Sequence, residues 1–219
     1  MYLHFWTFFY AAQNTSIAST VILFCLNPLS TSLLAWGLLK EKITSKTVLS
    51  YLFGLSSVVI LFWPHFSGEG ASHGMADSCA LISALFYSIY VVFGKKGQIS
   101  GEISSTDFSS LTFLVAGILF LLHELIIGSP GGLIHLNSKA IIALILLTLI
   151  PTLLGHALFL KLTKVLNINW MSAGKLLEPP LASVSAFLLF QQTPSVTALG
   201  AFLLLIPALI FLVWAKEAV

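Results

Sequence analysis

The stretch "GKLLEPPLAS" (residues 174–183) places two ionisable side chains inside an apolar part of the sequence. Lys175 and Glu178 are three residues apart, so on a helix they share one face and lie about one turn apart. Pro179 and Pro180 follow at once, and proline removes a backbone donor and disrupts the turn before it. We therefore predict a helix break beside a pair of opposite charges.

The composition around this stretch indicates a protein embedded in a lipid bilayer. Hydrophobic residues make up 58% of the chain and charged residues 8%, whereas soluble domains carry about 25% charged residues. Apolar windows long enough to cross a membrane, about 20 residues each, are continuous and not alternating, which favours helices over barrel strands. These windows are 17–39, 47–64, 76–94, 108–127, 140–160, 171–190 and 197–215, after a shorter apolar segment at 2–12.

The lysines predict the orientation of these spans. Alternate connections carry most of the basic residues, and the intervening connections carry Lys139 alone. Short loops rich in lysine face the cytoplasm, so we expect a cytoplasmic C-terminus. The lysines on the predicted cytoplasmic side are Lys40, Lys42, Lys46, Lys95, Lys96, Lys161, Lys164 and Lys216.

Two parts of the sequence resemble each other at an offset of 151 residues. "LNPLSTSLLAWGLLKEKITS" (26–45) aligns without a gap with "LEPPLASVSAFLLFQQTPSV" (177–196), so that Pro28 meets Pro179 and Asn27 meets Glu178. The lysine pattern puts the two turns on opposite sides of the membrane, which is typical of the inverted repeats of secondary transporters. Chance similarity between two apolar helix pairs is the alternative.

The offset predicts the overall plan of the chain. We expect an all-α, polytopic membrane protein with an inverted five-plus-five helix repeat, of which roughly the first two and a half helices are missing from the sequence. Residues 1–66 would be the C-terminal part of the first repeat, and residues 74–216 would be the second.

Three longer stretches carry a family resemblance. They are "YAAQNTSIASTVILFCLNPLSTSLLAWGLLKEKITSKTVLSYLFGLSSVVIL" (10–61), "GMADSCALISALFYSIYVVFGKK" (74–96) and "LEPPLASVSAFLLFQQTPSVTALGAFLLLIPALIFL" (177–212). They resemble the EamA-type members of the drug/metabolite transporter superfamily. The resemblance implies ten-helix inverted repeats that carry small metabolites, amino acids or drugs across a bacterial inner membrane. Lys40 replaces the glycine of the family's Gly-Glu-basic turn, and "FQQT" (190–193) replaces its acidic counterpart.

Lys175 and Glu178 are the first candidates for a substrate site. Ionisable residues at membrane depth usually face a water-filled cavity or a partner, and transporters bind substrate where midplane helices are broken. The pair would bind a charged or zwitterionic substrate or relay a proton. The structural alternatives are an ion pair that holds the helix in place, or a Lys175 side chain that extends to the interface.

Four further side chains are weaker candidates for the cavity. Asn27 precedes the predicted helix break at Pro28, and His156 follows a proline and a glycine at membrane depth. Tyr87 and Tyr90 share a helix face. For His156 and the two tyrosines, ordinary packing is an equally good interpretation.

The sequence favours a secondary transporter that works by alternating access. There is no "GxxxxGK[ST]" run for ATP binding, so the energy would come from a gradient of substrate, ion or proton. Expected partners are the lipid bilayer and a small organic substrate, with no nucleic acid, cofactor or metal; the oligomeric state is not predicted. The alternatives are a non-transporting or partner-dependent truncated protein and, with less support, a membrane-embedded enzyme, for which no nucleophile–base set or metal motif is present.

Overall fold

The computed structural model of the chain describes residues 1–66, 73–128, 137–168, 171–172, 175 and 178–215. Every regular element in these ranges is a helix, which confirms the prediction of an all-α protein for this part of the chain. The elements are α1 (Tyr2–Asn14), α2 (Ile17–Phe24), α3 (Asn27–Leu39), α4 (Ser45–Phe66), α5 (Gly74–Ser100), α6 (Ser105–Ile126), α7 (Ser138–Leu147), a π-helical stretch (Thr148–His156), α8 (Ala157–Thr163), α9 (Glu178–Phe190) and α10 (Val196–Ala215).

Five stretches of described helix are long and apolar enough to cross a membrane, so the chain is a multi-pass membrane protein. They are Ser19–Leu39, Gly74–Ser100, Ser105–Ile126, Ser138–Thr163 and Val196–Trp214. Helices α4 and α9 fall on the predicted windows 47–64 and 171–190.

The span predicted at 140–160 is not the single α-helix that the apolar window suggested. Helix α7 changes at Thr148 into a π-helical stretch that contains Pro151 and ends at His156. Proline cannot donate a backbone bond. One residue further along, the Thr152 hydroxyl donates to the Leu147 carbonyl, five residues back, at 3.0 Å. The wider turn therefore accommodates the proline within a continuous helix.

The chain packs as two compact units. One unit comprises residues 1–2 and 93–166, and the other comprises residues 3–92 and 167–219. In the first unit, the Gln98 side-chain amide donates to the Leu160 carbonyl at 3.3 Å, and the Lys95 ammonium donates to the Leu166 carbonyl at 3.2 Å. These bonds join the end of α5 to the end of the span that contains the π-helical stretch.

The second unit contains two helix–turn–helix segments with matching boundaries. Helix α3 runs from Asn27 to Leu39, and α9 runs from Glu178 to Phe190, so both ends are shifted by 151 residues. The helices that follow begin at Ser45 and Val196, at the same shift. The offset found in the sequence thus recurs in the backbone.

The turns of the two segments also share their geometry. Lys40 and Gln191, again 151 residues apart, are the non-glycine residues with positive φ in the described ranges, at 59° and 55°. The next amide in each turn reaches back to a carbonyl six residues earlier at 3.3 Å, in the pairs Glu41–Ala35 and Gln192–Ala186. A hydroxyl caps the following helix in each segment, in the pairs Thr44–Thr47 and Ser195–Ala198.

Small residues allow the equivalent helices α4 and α10 to pack closely in this unit. A buried cluster of Cys25, Leu205, Ala208 and Leu212 is flanked by Phe53, whose ring stacks on Phe211 with centroids 5.6 Å apart. Close helix contact through small residues is the usual basis of helix association in membranes. This packing brings α2, which carries part of the candidate site, beside α10.

Candidate functional site

The Lys175 ammonium lies against aromatic rings in the second unit. Its Nζ atom is 3.5 Å from the centroid of the Tyr87 ring and 5.1 Å from the centroid of the Phe24 ring. Lys175 is 9% exposed and Tyr87 is 2% exposed. A cation over a ring face is attracted by the ring quadrupole, more strongly where water is excluded. The rings therefore offset part of the cost of burying this charge.

Glu178 forms the accessible end of the charged pair. Its Oε1 atom is 4.0 Å from Lys175 Nζ, and its side chain is 46% exposed, against 10% for the lysine side chain. A half-exposed ion pair at this distance adds little stability by itself. The carboxylate is therefore the more exposed charged group of the pair.

Helix α9 begins at Glu178, so Pro179 and Pro180 occupy its first turn. Proline is well suited to this place because the first N–H groups of a helix have no partner within the helix. Residues 176 and 177 lie outside the described ranges, and the predicted break at the two prolines stays a prediction. On the near side, the carbonyl of Lys175 accepts a weak hydrogen bond from the Cys25 thiol at 3.4 Å.

An interruption between two helices lies beside the contact of Cys25 with Lys175. Helix α2 ends at Phe24, and α3 begins at Asn27 with Pro28 in its first turn. Pro28 has no N–H to donate to the carbonyl of Phe24, four residues earlier, so the α-helical ladder is interrupted at this carbonyl. A small cavity of about 20 Å³ lies next to the interruption, between Pro28, Tyr51 and Ala208.

Asn27 is held in a buried hydrogen-bond network and is 1% exposed. Its amide nitrogen donates to the Ser88 hydroxyl at 2.8 Å and to the Ala84 carbonyl at 3.1 Å. Ser88 also contacts the hydroxyls of Ser30 at 2.6 Å and Thr31 at 3.0 Å. The network joins α3 to α5. It gives Asn27 a structural role, and the prediction that Asn27 lines a cavity stays untested.

Tyr87 and Tyr90 belong to one aromatic cluster with residues that the sequence did not single out. The ring centroids of the two tyrosines are 5.9 Å apart, and those of Phe24 and Tyr87 are 5.6 Å apart. The ring centroid of His4 is 5.2 Å from that of Tyr87, and the Nδ1 atom of His4 is 2.8 Å from the hydroxyl oxygen of Ser83. Lys175 thus rests on an aromatic wall formed by α2 and α5, with a histidine of α1 at its edge.

His156 lies in the other compact unit, at the end of the π-helical stretch. Its ring centroid is 5.7 Å from that of Phe113 in an edge-on arrangement, and the residue is partly exposed. Short π-helical segments are uncommon and frequently occur at functional sites. His156 thus belongs to a different compact unit from Lys175.

Lys175 contacts the residue that is its own equivalent in the other repeated segment. At the offset of 151 residues its equivalent is Phe24, whose ring its ammonium contacts. Glu178 is likewise the equivalent of Asn27, which lies in the network next to this contact. Equivalent residues that touch each other lie where the two repeats meet. The charged pair and the aromatic wall are therefore located at the junction of the two repeated segments.

The described residues contain no group of three or more His, Cys, Asp or Glu side chains that could hold a metal ion. The two cysteines, Cys25 and Cys79, are buried and unbonded to each other. The donor set of the site consists of one ammonium, one carboxylate, hydroxyls and aromatic faces. Such a set can bind a small charged organic solute.

Comparisons with known proteins agree with this description. The sequence matches the EamA-like transporter family over residues 1–63 and 74–214. The chain belongs to this family. The resemblance noted in the sequence is thereby confirmed.

Two curated relatives and one solved structure are similar to this EamA-like chain. An uncharacterized transporter of Clostridium kluyveri is 30% identical over 190 residues, covering 84% of this chain and 59% of the relative. Human solute carrier family 35 member G1 is 28% identical over 207 residues, covering 88% and 54%. The chain thus spans between half and two thirds of these relatives. A crystal structure with 16% identity has a TM-score of 0.72 over 99% of this chain and 73% of its own, which shows a shared fold.

Proposed function

We propose that this EamA-like chain is part of a secondary transporter that moves a small organic metabolite across the membrane by alternating access. The substrate is charged or zwitterionic, and Lys175 and Glu178 contact it. Tyr87, a ring of the aromatic wall, and Tyr90, whose ring centroid is 5.9 Å from that of Tyr87, line the same proposed site.

The observation that carries this proposal is the buried Lys175 ammonium at the junction of two repeated segments. Transporters with internal repeats bind substrate where the repeats meet, next to interrupted helices. Lys175 lies 3.5 Å from Tyr87 and 4.0 Å from Glu178. A charged group at membrane depth is costly and is retained mainly where it has a function. Packing alone would be served by an apolar residue at position 175.

The charges of the site favour a small substrate with few formal charges. The described part of the site holds one cation and one anion, and the carboxylate is the half-exposed member. A zwitterion leaves the total charge unchanged on binding, whereas a phosphorylated sugar would bring two negative charges to a single buried lysine. Amino acids and other amine-containing metabolites therefore fit better than phosphate esters.

The lysine distribution supports a cytoplasmic C-terminus, and the family supports a location in a bacterial inner membrane. Without a nucleotide-binding motif in the sequence, a gradient of substrate, proton or another ion supplies the energy. Rocking of one repeat against the other would expose the junction alternately to the two sides of the membrane.

Uptake by reconstituted vesicles tests the proposal. Wild-type protein is assayed with a panel of labelled amino acids, amines and nucleosides, and the transported member is assayed again with Glu178→Gln. We expect Glu178→Gln to reduce uptake by at least about tenfold, because the change removes the negative charge of the exposed carboxylate. A tenfold loss corresponds to about 1.4 kcal/mol of interaction with the substrate. Glu102→Gln is the matched control, since Glu102 is exposed in the connection between α5 and α6.

Two outcomes would count against this function. Wild-type rates for Glu178→Gln across a range of pH would remove Glu178 from the mechanism. No uptake of any panel member by correctly inserted wild-type protein would instead support the alternative of a non-transporting or partner-dependent membrane protein.

A further inference from the structure

We infer that the ring faces of Tyr87 and Phe24, together with the Glu178 carboxylate, form a binding site for the cationic nitrogen of the substrate, and that Lys175 is the chain's own occupant of this site. The substrate class is then a protonated amine or a quaternary ammonium compound. The inference rests on the proposed function, since it specifies the solute of the same site.

The position of the lysine ammonium is the first argument. Its nitrogen lies 3.5 Å from the Tyr87 centroid and 5.1 Å from the Phe24 centroid, so it approaches two rings of one wall. Aromatic faces of this kind recognise quaternary ammonium ligands in proteins. The geometry that holds the lysine ammonium is therefore equally suited to the ammonium group of a solute.

The asymmetry of the ion pair is the second argument. The Glu178 side chain is 46% exposed, while that of Lys175 is 10% exposed. A cationic solute would meet the carboxylate first, and the aromatic wall lies behind it. The order of these groups, with the anion outside and the ring faces inside, attracts a cation and then desolvates it.

The charge balance of the site makes binding competitive. Two cations within a few ångströms repel each other strongly where water is scarce. A solute cation can take the ring face only as the Lys175 ammonium moves away, and the four-carbon stem of lysine allows this movement. In the part of the chain that the structure describes, the titratable groups that face this nitrogen include the Cys25 thiol, the Tyr87 phenol and the Glu178 carboxylate.

Binding of tetraethylammonium to the detergent-solubilised protein tests this competition. Labelled tetraethylammonium is measured by equilibrium dialysis on the wild-type protein and on Lys175→Met, which keeps the length of the side chain and removes its charge. We expect Lys175→Met to bind the probe about tenfold more tightly than the wild type, because the competing ammonium is gone and a desolvated ring face holds a cation by about this factor. Lys175→Gln is the second variant, and gel filtration with far-UV circular dichroism checks that each is folded.

The aromatic contact is tested on the Lys175→Met background. Adding Tyr87→Leu should abolish the gain in tetraethylammonium affinity, whereas adding Tyr87→Phe should preserve it because the ring face remains. Adding Tyr10→Leu is the matched control and should also preserve it, since Tyr10 lies in α1 and its hydroxyl donates to Met75. Adding Glu178→Gln should weaken binding.

Equal affinity of the wild type and both charge-neutral Lys175 variants for tetraethylammonium would overturn the inference. So would a gain that survives Tyr87→Leu, or tight binding of benzoate to the wild type that is lost in Lys175→Met, since benzoate binding would make Lys175 an anion receptor. These measurements do not depend on uptake. Transport of an anionic metabolite without tetraethylammonium binding would overturn the inference and leave the proposed function standing. Tetraethylammonium binding without any uptake would support the inference and count against the proposed function.

Discussion

Replacing Ser88 by alanine tests whether the network between α3 and α5 holds the second unit together. The Ser88 hydroxyl is contacted by the Asn27 amide at 2.8 Å, by the Ser30 hydroxyl at 2.6 Å and by the Thr31 hydroxyl at 3.0 Å. It is fully buried, so no water replaces it in the variant without opening the helix contact. Alanine preserves the helix and removes only the oxygen.

The structure allows the size of the effect to be worked out. Side-chain hydrogen bonds between membrane helices average about 0.6 kcal/mol each, so three lost contacts at Ser88 correspond to about 2 kcal/mol of unfolding free energy. Asn27 keeps its bond to the Ala84 carbonyl, which limits the penalty. Ser56→Ala is the matched control, because the Ser56 hydroxyl donates only to the Leu52 carbonyl of its own helix and is exposed. We expect the control to change stability by less than about 0.5 kcal/mol.

The assay is reversible unfolding by sodium dodecyl sulfate in mixed micelles, followed by circular dichroism. A double-mutant cycle of Ser88→Ala with Asn27→Ala should give a coupling energy of about 1 kcal/mol, as expected for directly bonded residues. Additive effects, or a Ser88→Ala variant as stable as Ser56→Ala, would refute the reasoning. If Asn27→Ala leaves stability unchanged but reduces uptake, Asn27 lines the cavity.

Two further predictions concern packing and orientation. Gly94→Ala should destabilise the first unit by about 1–3 kcal/mol in the same assay, because an added Cβ would lie 2.5 Å from Leu160 Cδ1, whereas Gly117→Ala has open space and should be neutral or slightly stabilising. A Gly94→Ala protein as stable as the wild type would contradict this prediction and show that the Leu160 side chain moves aside at no cost. In a cysteine-free background, Lys139→Cys should react with a membrane-impermeant maleimide in intact cells and Lys164→Cys only after permeabilisation, since both positions are exposed and only their predicted sides differ. The reverse labelling pattern would invert the proposed topology.

The membrane class and the repeat could be predicted because they depend on local and periodic properties. Apolar windows fix the helices, and the offset between Pro28 and Pro179 fixes the register of the two repeated segments. The end of α2 at Phe24 follows from proline chemistry, since Pro28 cannot donate to a carbonyl four residues earlier. These features require no knowledge of which helices touch.

Ser88 could not be identified in the same way, because its partners are 57 to 61 residues away in sequence. The one available signal was spacing. Residues Ser83, Ala84, Tyr87, Ser88 and Val91 recur at intervals of one and three and are all buried, so they form one helix face. Only Tyr87 and Tyr90 were predicted from the sequence as candidates on this helix. A serine in a helix usually bonds to its own backbone, which hides a role in joining helices.

The site itself was predicted in its charges but not in its surroundings. Lys175 was paired with Glu178 from their spacing, but the contact of its ammonium with the Tyr87 ring, 3.5 Å from the ring centroid, was not predicted. This contact depends on how α5 packs against the segment before α9. The π-helical stretch at Thr148–His156 was missed for a related reason, since an apolar window does not distinguish one kind of helical turn from another.

The contact between Phe24 and Lys175 has a consequence for how such a chain evolves. If each repeated segment were a separate protein pairing with a copy of itself, the two equivalent positions would carry the same residue, and either two ammonium groups or two phenyl rings would face each other. Joining both segments in one polypeptide lets the two positions diverge, so that one supplies a charge and the other a surface that attracts it. A single polypeptide that contains both segments can therefore place a cation opposite an aromatic ring at this position, whereas a symmetric homodimer cannot.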